Sequence, residues 1–271
     1  MEGRLVIIGG AEDKEGERVI LKRFLAEAGG DDAQLVVLTS ATQEPETAGA
    51  TYQAVFGELG AGSITALDVA SRAAANEREV VNALRKATGV FFTGGDQLRV
   101  SSIIGGTPVA RALAECYRRG VVIAGTSAGA SAMSEVMIVG GPGEEAPKRG
   151  LLHLAPGLGL LREVVVDQHF AQRGRIGRLL AAVAQHPGVL GLGLDEDTAV
   201  FVAPDATLEV VGSGAATMVD GQHLHFTNVS EQAPTEPLAL AGVMLHVLPQ
   251  GYRFDLKNRL VFPPDRRGTG E

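Results

Sequence analysis

The residues of this chain best suited to chemistry are one hydroxyl, one imidazole and a group of carboxylates, each placed where an apolar run stops. Gly125-Thr126-Ser127-Ala128-Gly129 is a G-x-S-x-G arrangement, preceded by Val121-Val122-Ile123-Ala124 and followed by small, helix-compatible residues. A strand, a sharp turn and a helix in this order hold a hydroxyl out of the strand end, beside the amides that open the helix. Ser127 is therefore the candidate nucleophile; the bland alternative is a Gly/Ser-rich turn with no chemistry. His169 closes the run Val164-Val165-Val166-Asp167-Gln168. A neutral imidazole there can take the Ser127 proton and return it to a leaving amine. Asp195, Glu196 and Asp197 lie between two apolar runs. Asp195 or Glu196 can accept the imidazole Nδ1–H, fixing its tautomer, and the spacing does not choose between them.

Two further clusters surround this set. Gly94 and Gly95 follow the run Gly89-Val90-Phe91-Phe92 and expose backbone amides of the kind that face a developing oxyanion. Asp96 beside them equally suits a helix N-cap. Arg173, Arg175 and Arg178 fall within six residues of an otherwise acidic chain. Beside a candidate base they suit bidentate recognition of substrate carboxylates, against the plainer reading of a solvated basic patch.

These groups need a scaffold that gathers strand ends, and the chain supplies one. Strand-like runs at 4–10, QLVVLTSAT, SITALDV, GVFF and VVIAG alternate with helical spacings at 15–28, 47–60 and 76–87. Regular β–α alternation with short connections predicts a parallel, helix-covered sheet with its strand ends on one rim. Residues 140–157 read as an irregular Gly/Pro-rich loop with His153 structural or exposed. The chain after 189 reads as short strands extending the same sheet in antiparallel or mixed sense. One domain over 1–271 is expected, with 263–271 frayed.

Composition narrows the class. The 271 residues are 45% hydrophobic, enough to bury a large core. A single cysteine excludes a disulfide framework, and Cys116, inside the helical pattern ARALAECYRR, reads as a packed thiol. His223 and His225 alternate on one run without a third ligand at convincing spacing, so no metal site is expected. RLVIIGG does not complete G-x-G-x-x-G, which leaves a dinucleotide fingerprint unsupported. A formal net charge of −8 argues against broad nucleic-acid binding, and no apolar run reaches membrane-span length. A cytoplasmic protein is the expectation. Acyl transfer by this set needs no metal or organic cofactor.

FFTGGDQ (91–97), IAGTSAGASAM (123–133), VVDQHFAQRGRIGRL (165–179) and LGLDEDTA (192–199) together resemble the cyanophycinases of the S51 serine peptidase family, and the resemblance runs over most of the chain. It implies an α/β fold like the class I glutamine amidotransferases, with a mostly parallel central sheet flanked by helices, additional C-terminal strands, and serine at the elbow in place of cysteine. It implies Ser127 as nucleophile, His169 as base and Glu196 as the orienting acid. Gly95 and Ala128 would supply oxyanion amides, and Gln97, Asp167, Gln168, Arg173, Arg175 and Arg178 would line the substrate pocket. The implied substrate is cyanophycin, an aspartate-backbone polymer carrying arginine on each β-carboxyl, cut to β-Asp-Arg dipeptides; a homodimer is the expected assembly. The competing readings are an aspartyl dipeptidase of the peptidase E type and, from another class, a non-catalytic α/β ligand-binding domain.

Overall fold

A computed structural model describes residues 3–264. In chain order its elements are β1 Arg4–Ile8, α1 Val19–Glu27, β2 Gln34–Leu38, α2 Pro45–Glu58, β3 Ser63–Leu67, α3 Arg78–Lys86, β4 Gly89–Phe92, α4 Gln97–Ile104, α5 Pro108–Arg118, β5 Val122–Thr126 and α6 Ala128–Ala132. Then come β6 Val136–Gly140, β7 His153–Pro156, β8 Val164–Gln168, α7 Ile176–Gln185, β9 Leu190–Leu194, β10 Thr198–Val202, β11 Thr207–Gly212 and β12 Ala215–Asp220. The last are β13 Phe226–Thr227, β14 Leu240–Ala241, β15 Met244–Pro249, β16 Arg253–Asp255 and β17 Leu260–Phe262.

The central sheet runs β17-β16-β11-β10-β1-β5-β4-β2-β3. Strands β1, β5, β4, β2 and β3 are all parallel, and the C-terminal strands add antiparallel from β10 outward. Each inner strand is an unbroken apolar run because both faces are buried. In β1, Leu5 and Ile7 face one core while Val6 and Ile8 face another. The Val6 side packs on α1 and α2, with Phe24, Phe56 and Phe91 at its centre. The Leu5 side packs on α3 to α6 and on a second sheet.

That second sheet, ordered β15-β12-β9-β8, departs from the expected single extended sheet. Among the described residues only β10, β11, β16 and β17 extend the central one. β1 is already paired on both sides, by β5 and β10, and offers β8 and β9 no edge. Their alternating faces instead fill two cores. Val164, Val166, Leu190, Leu192 and Leu194 pack toward the central layer, and Val165 packs beneath Leu179 and Val183 of α7.

Two local readings also change. The segment 140–157 is not wholly irregular, since β7 pairs antiparallel with β6. Among the short strands expected after 189, the run at 222–228 that carries His223 and His225 yields only the two-residue β13. Pro263 and Pro264 lie outside any strand or helix, and 265–271, the rest of the tail expected to fray, falls outside the described residues. Among the described residues no helix is long and apolar enough to cross a membrane.

Candidate active site

The elbow between β5 and α6 is built by close packing. A Cβ on Gly125 would come within 2.6 Å of the Gly129 backbone, and one on Gly129 within 2.7 Å of Phe92, so only hydrogen fits at either position. Between them Ser127 takes φ 53° and ψ −112°, a conformation rare for a residue with a side chain. Its N–H still donates to Ile8 O at 3.0 Å, which holds the turn against β1. The amides of Gly95 and Ala128 have no hydrogen-bond partner among the described residues. Gly94 lies against the same serine, with an added Cβ 3.5 Å from Ser127 Cβ.

Ser127 Oγ is 3.0 Å from His169 Nε2, and His169 Nδ1 is 2.6 Å from Glu196 Oε1. With the Nδ1 proton directed at the carboxylate, the Nε2 lone pair faces the serine hydroxyl. The imidazole side chain is 11% exposed, and Glu196 remains 38% exposed. Of Asp195 and Glu196, which spacing alone leaves equivalent, it is Glu196 that contacts the imidazole. Asp195 turns away, its Oδ1 accepting from Ala171 N at 3.0 Å and its Oδ2 from Ala215 N at 3.1 Å. It ties the turn after His169 to β12. Glu196 N donates to Gln172 Oε1 at 3.1 Å, which fixes the acid's own backbone. A serine, imidazole and carboxylate so aligned can pass a proton from hydroxyl to ring while the carboxylate steadies the resulting cation.

Next to the relay lies a cluster of opposite charges. Asp167, 1% exposed, accepts from Arg178 Nε at 2.6 Å and Nη2 at 2.5 Å, and from Arg175 Nη1 at 3.2 Å. Arg178 Nη1 donates to Gly141 O at 2.9 Å, and Arg175 also donates to Gln168 O. Burial pushes the Arg175 guanidinium down to about 10; Asp167 opposes this, and Arg178 and Arg173 reinforce it. Arg178 therefore spends its charge inside the fold, whereas Arg173 is exposed and makes no side-chain bond among the described residues. Gln168, 5% exposed, presents Oε1 3.4 Å from Ser127 Oγ, and Gln97 Nε2 donates to Ile138 O at 2.7 Å. Asp96 is the α4 N-cap, accepting from Leu98 N and Arg99 N.

Residues 5–210 match the model of Peptidase family S51. The chain belongs to that family. Cyanophycinase of Nostoc sp. is 43% identical over 264 residues, spanning 97% of this chain and 89% of the relative. Cyanophycinase of Geminocystis herdmanii is 42% identical, over 95% of both chains. In fold, a peptidase from an acI-B1 actinobacterium superposes with a TM-score of 0.72 over 94% of this chain and 98% of its own, at 19% identity.

In this S51 peptidase, some residues that build the site were not singled out from sequence. Gly9 O accepts from His169 N at 2.8 Å, and Gly10 O accepts from Asp197 N at 2.9 Å. Gly10 has φ +100°, and a Cβ on it would lie 2.4 Å from His169 Cε1. The paired glycines ending RLVIIGG were the available signal; without G-x-G-x-x-G they pointed to no particular ligand. Cys116 is fully buried, with its Sγ 3.1 Å from Leu84 O and burial raising its thiol. His153 is exposed, on β7.

Proposed function

We propose that this S51 peptidase hydrolyses cyanophycin, with Ser127, His169 and Glu196 as its catalytic triad. The observation that carries the reading is the continuous contact from Ser127 Oγ through the His169 ring to Glu196. Ser127 Oγ attacks an aspartyl backbone carbonyl as His169 takes the hydroxyl proton. The oxyanion faces the unpartnered amides of Gly95 and Ala128, whose preorganisation stabilises charge formed only in the transition state. His169 then protonates the leaving amine, and a water deprotonated by the same ring releases the acyl group.

The substrate assignment draws on the two cyanophycinases similar to this chain over nearly its whole length. Arg173 meets free carboxylates of the substrate, Arg175 adds its charge from behind, and Gln97 and Gln168 orient it. Asp167 and Arg178 support that pocket from behind through their mutual ion pair. The chain acts as one α/β domain, in the cytoplasm, as a homodimer. Light scattering giving the mass of one protomer would remove the last of these.

The test is mass spectrometry of products after incubation with purified cyanophycin. β-Asp-Arg from the native protein and none from Ser127→Ala is the expected result. Hydrolysis of Asp-X dipeptides with the polymer left intact would favour the aspartyl dipeptidase reading instead. Unchanged turnover in Ser127→Ala would remove the triad.

A further inference from the structure

One carboxylate outside the relay is buried directly against the nucleophile elbow. Glu12 is 3% exposed, and both of its oxygens accept hydrogen bonds. Oε1 accepts from the Tyr52 hydroxyl at 2.5 Å and Oε2 from the Thr126 hydroxyl at 2.5 Å. Lys14 Nζ lies 2.8 Å from Oε1. Burial, reinforced by Glu12, holds the Tyr52 hydroxyl well above its ordinary range, so it stays a donor. An acid so enclosed is retained only where each oxygen is satisfied, and here one of its partners is the residue immediately before Ser127.

The same short segment reaches the other two members of the relay. Gly9 O holds His169 N, Gly10 O holds Asp197 N, and Asp13 N donates to Asp197 Oδ1 at 2.9 Å. Residues 9–13 therefore touch the segment carrying the hydroxyl, the one carrying the imidazole and the one carrying the acid. The hydroxyl segment is where a fixed anchor matters most. Ser127 sits at φ 53° and ψ −112°, and a backbone of that kind relaxes unless its neighbours over-determine it. Resting on the triad reading, we propose that Glu12 is a positioning residue: through Thr126 it fixes the elbow in register with His169 and Glu196.

The test uses labelling of the full-length protein by a serine-directed fluorophosphonate, beside kcat and KM on cyanophycin and Tm for each variant. Thr126→Val removes the hydroxyl at nearly constant shape, Thr126→Ser keeps it, and Glu12→Gln replaces an accepting oxygen by an amide nitrogen. Misplacing the hydroxyl should slow labelling and lower kcat by about 10- to 100-fold in Thr126→Val and Glu12→Gln, with KM within about twofold. Thr126→Ser should stay close to the native rates. The double variant Glu12→Gln/Thr126→Val should be no slower than the slower single, because both remove one contact. A folded Thr126→Val that labels and turns over at the native rate overturns the proposal, as does a double variant whose losses multiply. If Glu12→Gln does not fold, the Thr126 pair decides alone. Failure of the triad reading is separate: Ser127→Ala would then still be labelled or still turn over.

Discussion

Each of the three neighbouring acids 195–197 has a different task, set by what it touches. Glu196 meets the imidazole, Asp195 accepts two backbone amides, and Asp197 accepts from Asp13 N and the Ser213 hydroxyl. Replacing Glu196 with Gln leaves the shape but removes the charge that favours the Nδ1–H tautomer and the imidazolium. We expect kcat to fall by about 10²- to 10⁴-fold with little change in KM. Asp195→Asn should instead act on stability, costing about 1–3 kcal/mol as two amide bonds weaken, with kcat far less affected. Steady-state kinetics and thermal melts of the two variants check both; loss of kcat in Asp195→Asn alone would reverse the assignment.

At the scale of elements, the loop from β1 to α1 does more than connect them. Its glycine carbonyls hold the segments that carry His169 and Glu196. Gly10→Ala would place a methyl group against the His169 ring at a positive φ, a strain of about 1–3 kcal/mol before the contact itself. The variant should fold with lowered Tm and lose most of its turnover. Hydrogen exchange should quicken at His169 and Asp197 while the amides of β5 stay protected. Equal quickening throughout would mean global destabilisation.

Further along the loop, Asp13 accepts from Glu15 N, Gly16 N and Arg18 N at the entry to α1, a helix without a side-chain N-cap bond. These bonds, led by that from Arg18, lower the Asp13 carboxyl from 3.8 to about 2. A depressed carboxylate stabilises the fold fully above its unfolded value and loses that contribution as pH falls through the folded one. The Tm difference between native protein and Asp13→Asn should therefore be constant above pH 5 and shrink between pH 4 and 2. A difference that grows on acidification would contradict the assignment.

Over the whole molecule, the site is a seam between two sheets. Ser127 comes from the parallel half of the central sheet, His169 from the end of β8 in the second, and Glu196 from the link between β9 and β10. Beside that seam the buried Asp167 cluster ties the end of β8 to α7 and to the chain at Gly141. Arg178→Ala leaves Asp167 with Arg175 alone, and we expect a loss on the order of 3 kcal/mol by denaturant melts. Substrate capture should weaken only as a consequence of that loosening. Native stability with lowered kcat/KM would instead give Arg178 a direct role at the substrate.

Much of this was legible along the chain, because the information is local. The G-x-S-x-G spacing after an apolar run suits a tight strand-to-helix turn, and the apolar runs of β1, β2, β4 and β5 announce strands buried on both faces. What the sequence determined by itself was therefore the strand–helix alternation, the hydroxyl at a strand end, and the family motifs. Spacing alone leaves Asp195 and Glu196 equivalent and only the resemblance points to Glu196; the tertiary structure supplies the partition into two sheets, the contact of Glu196 with the imidazole, the inward pairing of Arg178, and the contacts of Gly10 and Glu12. Those depend on which segments meet: residues 9–13 with 126, 169 and 197, His169 with Glu196, and Arg178 with Asp167 and Gly141. No period or propensity along a chain encodes which separate segments come into contact.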